Sequence, residues 1–352
     1  MRWTPWTAGF LALALLAPAS GQERWADPAD VPAWHHSLIT FFQGLENRPV
    51  GSPANRALET KVERLFAESG FPHGEIRFPA MRFIPGPATM TLPNGRRLTL
   101  HAMHPTWLRP GNFPERVFSA PLTYLGRGDI PDLQAASGLP LENAVAVLEF
   151  NSGNAWEHLL RFGIRGFVFL GDESLEFREA AAKVSNSEVA VPRYYLEPAE
   201  ASELRDTLAE GRSLTAHFDV EPSRWERVEA RTLWVIIPGA DPQLAREMPV
   251  FVAPLDGNNV VPALGQSARA GANLYLLIRL LEHFRNDRPA RSVMLAAVNA
   301  HTQYFLGERT LAWYLLAPPG RHRARPQHAR RGPPRRRTLC QLLLASGPRW
   351  RS

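Results

Sequence analysis

The stretch from Pro249 to Leu316 constrains the fold most, because it predicts a strand, a long helix, a second strand and a second helix in that order. Pro249–Ala253 and Ser292–Val298 are short apolar runs that indicate buried strands. Ala268–Arg285 has the helical period, with its apolar residues on one stripe, and Gly307–Leu316 is a second amphipathic helix. A strand, crossover helix and strand of this length form a right-handed parallel unit. We therefore expect an α/β fold.

Polar residues follow both predicted strands, at the ends where open α/β sheets bind their ligands. Pro254–Asn259 follows the first strand and Asn299–Gln303 follows the second. Ser267, His301 and Asp256 all lie near these ends and could form a hydrolase triad. However, the sequence lacks the strained G-x-S-x-G elbow that would hold such a serine.

The order of motifs in this region resembles the co-catalytic di-zinc exopeptidases. That group includes bacterial aminopeptidases, glutamate carboxypeptidase and the enzymatically silent transferrin receptor. The matching features are an L-D pair after the first strand, a G-x-S-x-x-x-G run into the helix, and N-A-H-T-x-x-x-L-G-x-R after the second strand. The resemblance extends from about Val31 to Leu316, and it implies a mixed, mostly parallel sheet flanked by helices.

This chain departs from the resembled family at the metal ligands. In active members the first strand ends in H-x-D, the following loop carries a bridging Asp, and the second strand ends in E-E. Here Pro254 and Asp256 occupy the first motif, Ser267 the bridging position, and His301 and Thr302 the E-E pair. A prolyl nitrogen cannot bind a metal, and hydroxyl groups are poor zinc ligands. The zinc ligand set is therefore expected to be degenerate.

The resemblance implies hydrolysis of a terminal peptide bond by a metal-bound water, assisted by a Glu base. The substituted ligands instead predict a catalytically impaired homologue, or pseudoenzyme, with no cofactor; zinc is expected only if the chain is active. One alternative is a non-enzymatic binding or scaffold protein that uses the cleft to hold a peptide or protein ligand. Another is a hydrolase with unfamiliar ligands, such as Asp256 and His301.

The middle of the chain is predicted to be an inserted module. Ala144–Phe150 and Gly163–Leu170 are apolar strands separated by a short helix, and this order resembles the protease-associated domain. The resemblance implies a β-rich lid over the neighbouring site. The predicted divisions are 1–21 signal peptide, 22–114 N-terminal part of the peptidase-like domain, 115–222 insert, 223–317 incomplete α/β core and 318–352 basic disordered tail.

Ahead of the insert we expect two helices, Val31–Leu45 and Asn55–Ser69, and a hairpin that turns at Asn94-Gly95. His101 and His104 follow the hairpin at a spacing that can chelate a metal. No carboxylate lies close to them in the sequence, so structural roles are expected for both histidines.

Charge and cysteine content exclude two classes of function. The net charge is +6, but the Arg321–Ser352 tail contributes +10 and no acid, which leaves −4 for the rest. The basic character therefore belongs to the tail and does not indicate nucleic-acid binding by the folded body. Cys340 is the only cysteine, so an intrachain disulfide and cysteine-based metal chemistry in the body are excluded.

The first residues are typical of a secretory signal. Arg2 precedes the apolar run Gly9–Ala17, and small residues follow it as a cleavage site. We therefore expect export to the periplasm or the cell exterior. An uncleaved anchor remains the alternative, although Trp3–Ala19 is short for the roughly 30 Å of a bilayer core. No other segment is long and apolar enough to be expected to span a membrane.

The tail has two interpretations. Its Arg, Pro and Gly content cannot bury enough apolar surface to order a chain, which predicts a disordered segment that contacts anionic surfaces. The alternative is a shifted reading frame near Pro318. Lysine is rare in the chain, with only Lys61 and Lys183, which indicates GC-rich coding.

Overall fold

The structure is a computed structural model that describes residues 47–104, 110–184, 189–209, 211–262, 264–265 and 267–316. The predicted signal peptide, the predicted helix Val31–Leu45 and the tail from residue 318 lie outside these residues.

The described residues form seven α-helices and fourteen strands, with short 3₁₀ turns at Leu160–Phe162 and Leu244–Arg246. The helices are α1 (Pro53–Glu68), α2 (Ile130–Ala135), α3 (Ala155–Leu159), α4 (Phe177–Val184), α5 (Pro198–Leu208), α6 (Ser267–Asn286) and α7 (Leu306–Leu316). The strands are β1 (His73–Ile84), β2 (Ala88–Thr91), β3 (Arg97–Thr99), β4 (His101–Ala102), β5 (Val117–Tyr124), β6 (Val145–Glu149), β7 (Gly166–Leu170), β8 (Arg193–Leu196), β9 (Ser213–Val220), β10 (Arg224–Ile237), β11 (Val250–Pro254), β12 (Asn259–Val261), β13 (Leu264–Gly265) and β14 (Val293–Val298).

A four-stranded sheet forms the core, in the order β1-β10-β14-β11. β11 and β14 are parallel, from Val250 opposite Met294 to Pro254 opposite Val298, which confirms the predicted parallel unit. All six residues of β14 are buried because helices cover both faces of this sheet. One face packs on α1 and α6, through residues such as Val62 and Leu274. The other face packs on α7, through Leu311.

The prediction that the core sheet is mostly parallel is not confirmed, since two of its three strand pairs are antiparallel. The cause is the ribbon of β1 and β10, where the sequence analysis predicts no strand. Its outer positions are charged, and ion pairs cross the ribbon from Arg77 to Glu229 at 2.8 Å and from Arg82 to Glu226 at 2.5 Å. These charges hide the apolar alternation by which a strand is normally recognised.

A second sheet of eight strands lies entirely between β1 and β10 in the sequence, in the order β3-β2-β9-β5-β6-β7-β8-β4. β5 to β8 are parallel neighbours, and α2, α3 and α4 connect them. The predicted hairpin is present as β2 and β3, but β2 also pairs with β9, so this sheet begins at Ala88 rather than Glu115. That pairing joins Ala88 to Val220 and leaves no local trace in the sequence.

A buried polar network connects α1 to the end of β14. The Nδ2 group of Asn55 donates to Oδ1 of Asn299 at 2.7 Å. The Nδ2 group of Asn299 donates to Oε1 of Glu59 at 2.7 Å and to the carbonyl of Arg231 at 2.9 Å. Burial raises the pKa of Glu59, and its hydrogen bond from Arg56 opposes that rise. Asn299 thus fixes α1, β10 and the end of β14 relative to one another.

Replacing Asn299 with Ala should lower the free energy of unfolding by about 3 kcal/mol, because it leaves Glu59 and Asn55 buried without their partner. Urea denaturation followed by circular dichroism measures this loss. The exposed Asn286 at the end of α6 provides the control. Asn286→Ala should change the free energy by less than about 0.5 kcal/mol. Equal losses for the two variants would contradict the network's role.

Candidate functional site

The ends of β11 and β14 meet at the Asp256 side chain, which is 1% exposed. Its Oδ1 accepts the main-chain N–H of His301 at 3.1 Å. Its Oδ2 accepts the hydroxyl of Thr302 at 3.4 Å. The two loops that follow the parallel strands are therefore joined through one buried carboxylate.

Arg48 closes a third side of this site. Two main-chain hydrogen bonds join Arg48 to Gly257, from the Arg48 N–H to the Gly257 carbonyl at 3.0 Å and from the Gly257 N–H to the Arg48 carbonyl at 3.1 Å. The Nε of Arg48 also donates to the carbonyl of Leu255 at 2.9 Å. Burial lowers the pKa of Arg48, while the charge of Asp256 opposes that shift. The segment that enters α1 is therefore fixed directly against the loop that carries Asp256.

Burial raises the pKa of Asp256 to about 6, against the opposing effects of the His301 N–H and of the His301 charge. The nearby Glu308 charge adds to the rise. Two hydrogen-bond donors are thus too few to restore an ordinary acidity to a fully desolvated carboxyl group.

The imidazole of His301 pairs with a residue that is not part of the triad considered from the sequence. Its Nδ1 pairs with the Oε1 of Glu308, in the first turn of α7, and the Phe305 ring meets it edge-on at 4.9 Å between centroids. The helix comes this close because residue 307 is glycine; a Cβ there would lie 2.2 Å from the carbonyl oxygen of Asn299.

The Ser267–His301–Asp256 triad considered from the sequence is not the arrangement observed. Asp256 accepts the main-chain N–H of His301, and Glu308 holds the imidazole. Ser267 opens α6, but its side chain lies outside the described part of the structure. Glu308 was not predicted from the sequence. The signal available for it is an acidic residue in the first turn of the predicted second helix, seven residues after His301.

The loop after β14 holds an unusual backbone conformation. Ala300, Tyr304 and Phe305 have φ angles of 57°, 54° and 57°, in the left-handed region that favours glycine. Residues held there cost of order 1–3 kcal/mol each and tend to occur at functional sites. Ala300 is fully buried, so packing around it supports this conformation.

The residues at the positions where the family resemblance predicts zinc ligands do not fit a pair of metal ions. Pro254 is buried at the end of β11, and its side chain offers no donor atom. The Thr302 hydroxyl donates to Asp256 and accepts the Nδ2 group of Asn258 at 2.7 Å. Within the residues that the structure describes, no group of three His, Cys, Asp or Glu side chains is arranged to hold a metal.

His101 and His104 have separate surroundings. His104 is 8% exposed and packs edge-to-face on Phe83 and Trp225, with centroid distances of 5.5 and 5.7 Å. The Nε2 of His101 lies 3.8 Å from the Oε1 of Glu197. Glu197 is distant in the sequence, which is why no carboxylate partner was expected for this pair.

No protein-family model matches this chain, and no curated protein matches it by sequence. Its fold is similar to a peptidase M28 precursor from Shewanella amazonensis SB2B, with TM-score 0.53, 15% identity, and 79% of this chain and 66% of that chain covered. It is also similar to a zinc aminopeptidase from Bacillus subtilis, with TM-score 0.50, 14% identity, and 76% and 60% covered.

The chain thus spans 60–66% of the length of these two proteins. The likeness shows a mixed α/β fold similar to that of an M28 peptidase, which agrees at the level of the fold with the resemblance found in the sequence. Among the described residues, no helix combines the length and apolar content that crossing a bilayer requires.

Asp256 should make the protein less stable as pH rises. Its pKa is raised to about 6, so between the unfolded value and 6 the folded state binds more protons than the unfolded state. The cost of ionising the buried Asp256 in the folded state is therefore absent at low pH and nearly complete above pH 6. Relative to Asp256→Asn, the unsubstituted protein should lose about 2 kcal/mol of unfolding free energy between pH 4 and pH 7.

Urea denaturation of both proteins across that pH range measures the difference, in which the other titrating groups cancel. The exposed Asp206 on α5, substituted by Asn in the same way, is the control and should leave the slope unchanged. A difference that stays constant with pH would show that Asp256 does not titrate abnormally.

Proposed function

We propose that this chain is a homologue of the di-zinc exopeptidases in which the metal centre has been lost and catalysis with it. Two findings support the proposal. The first is the mixed α/β fold similar to a peptidase M28 precursor and a zinc aminopeptidase. The second is the state of the strand ends, where a metal site would be expected.

The observation that carries the proposal is the engagement of Asp256. Both of its oxygens accept hydrogen bonds from within the chain, one from the His301 N–H and one from the Thr302 hydroxyl. A carboxylate that orients a zinc ligand or binds zinc would direct an oxygen to the ligand or the ion. Here the group bridges two loops, and the neighbouring Pro254 has no side-chain atom to offer a metal.

The imidazole of His301 is likewise engaged. Its Nδ1 faces Glu308, and a hydrolytic site would need a further nucleophile or metal-bound water beside it. His301 and Glu308 could exchange a proton with a bound molecule, and their mutual contact fixes the imidazole against α7. We therefore assign the pair a structural and binding role.

The second candidate function is recognition of a peptide or protein ligand, with the eight-stranded insert acting as a lid. The eight-stranded sheet lies between the two strands of the core ribbon in the sequence, which supports the expectation of a protease-associated-like insert. A large cleft between the insert and the loop after β11 favours this function. The signal-like first residues further indicate that the chain acts outside the cytoplasm.

Zinc content and hydrolysis, measured on the purified chain, test the proposal. We expect less than about 0.1 zinc per chain after dialysis against zinc, because three or more convergent ligands are needed for tight binding. L-Leucine p-nitroanilide should not be hydrolysed above the rate of a blank. One or two zinc ions per chain, with hydrolysis that chelation removes, would overturn the proposal.

A matched pair of variants identifies any zinc that is found. His301→Ala would reduce the zinc content if the old site still binds metal, whereas His73→Ala, on the exposed start of β1, would not. Equal zinc in both variants would assign the metal to a different site.

A further inference from the structure

We propose that the cleft between the hairpin of the insert and the loop after β11 binds an uncharged, apolar peptide segment. This inference rests on the second function proposed above and names its ligand. The cleft has a volume of about 750 Å³. Small-molecule and peptide sites occupy roughly 300–1,000 Å³, so the cleft can hold one or two amino-acid residues.

The walls of the cleft are mostly apolar. Residues from both sides contribute, including Phe83, Pro85, Pro87, Leu100, Val260 and Pro262. Phe83 makes edge-to-face contacts with His104, another lining residue, at 5.5 Å and with Trp225 at 5.8 Å. A wall of prolines and braced rings changes little when a ligand enters, which favours binding of a complementary apolar side chain.

Charge separates the ligands that this cleft accepts from those it rejects. Among the described residues that line it, none is Asp, Glu, Lys or Arg, although these types make up 21% of the chain. A charged side chain that entered would lose water without gaining an opposite charge. The cleft therefore selects uncharged side chains.

Polar side chains also line the cleft, namely three asparagines with Thr89, Thr99, His101 and His104, and they point to a peptide rather than a hydrocarbon. Asn47, Asn258 and Asn259 all line it. The Nδ2 group of Asn258 is bonded to Thr302, while its Oδ1 is buried and accepts no hydrogen bond from the described part of the chain. A buried acceptor without a donor is costly, and the N–H of a peptide backbone would satisfy it.

Asn258 also connects the cleft to the site between the strand ends. The Thr302 hydroxyl contacts both Asn258, at 2.7 Å, and Asp256, at 3.4 Å. A ligand held by Asn258 is therefore linked to Asp256 only through the Thr302 hydroxyl, and its apolar side chain lies in the cleft.

Isothermal titration of the full chain with three probes tests the selectivity. The probes are the N-acetyl amides of leucine, glutamate and lysine, which share a backbone and differ in side-chain charge. We expect the leucine probe to bind at least about tenfold more tightly than either charged probe. Equal binding of the three, or preference for a charged probe, would overturn the proposal.

Variants localise that binding. Val260→Asp puts a charge in the wall and should weaken the leucine probe at least about tenfold. Ile130→Asp makes the same change at a 71% exposed position on α2, away from the cleft, and should leave affinity within twofold. Asn258→Ala should weaken binding roughly fivefold, as expected for one lost hydrogen bond. Circular dichroism checks that each variant folds. If Val260→Asp does not fold, the three probes on the unsubstituted chain alone test the proposal.

All titrations are made with EDTA present, so that the two proposals fail separately. Zinc in the untreated protein, together with selective leucine binding in EDTA, would overturn the loss of the metal centre and leave the cleft assignment standing. Loss of selectivity in metal-free protein would overturn the cleft assignment alone.

Discussion

The site depends on one buried carboxylate. Parallel pairing of β11 with β14 brings two polar loops to the same edge of the sheet, and Asp256 is the group that lies between them. A desolvated carboxylate must find donors, and it finds the N–H of His301 and the hydroxyl of Thr302. Hydrogen bonds within the chain therefore join the two strand ends through this acidic residue.

The parallel unit could be predicted from the sequence because its signals are local. The apolar runs of β11 and β14 and the helical period of α6 are each visible within one short segment. The long ribbon of β1 and β10 could not, since its ion pairs place charges on strands. Glu59 and Glu308 were missed because their partners, Asn299 and His301, are distant in the sequence or belong to another element. The sequence does indicate the buried network in one place, because Asn55 and Glu59 are polar residues that fall among the apolar positions of α1.

Strain and packing act together around the loop after β14. Asn299 fixes the start of this loop to α1, and Gly307 lets α7 approach its carbonyl. Between them, Ala300 and Phe305 adopt left-handed backbone conformations. The loop is therefore over-determined by its surroundings, which suits a site that presents a fixed shape to a ligand. The cleft beside Asn258, whose described lining residues include no Asp, Glu, Lys or Arg, lies next to this loop.

The central claim is that the strand ends hold each other rather than zinc. Crystals soaked in zinc and measured at the zinc absorption edge test it directly. The account predicts no anomalous peak beside Asp256, with its Oδ1 still within hydrogen-bond distance of the His301 main-chain nitrogen. A peak bound by Asp256 and the His301 imidazole, with the hydrogen bonds between the loops broken, would contradict it.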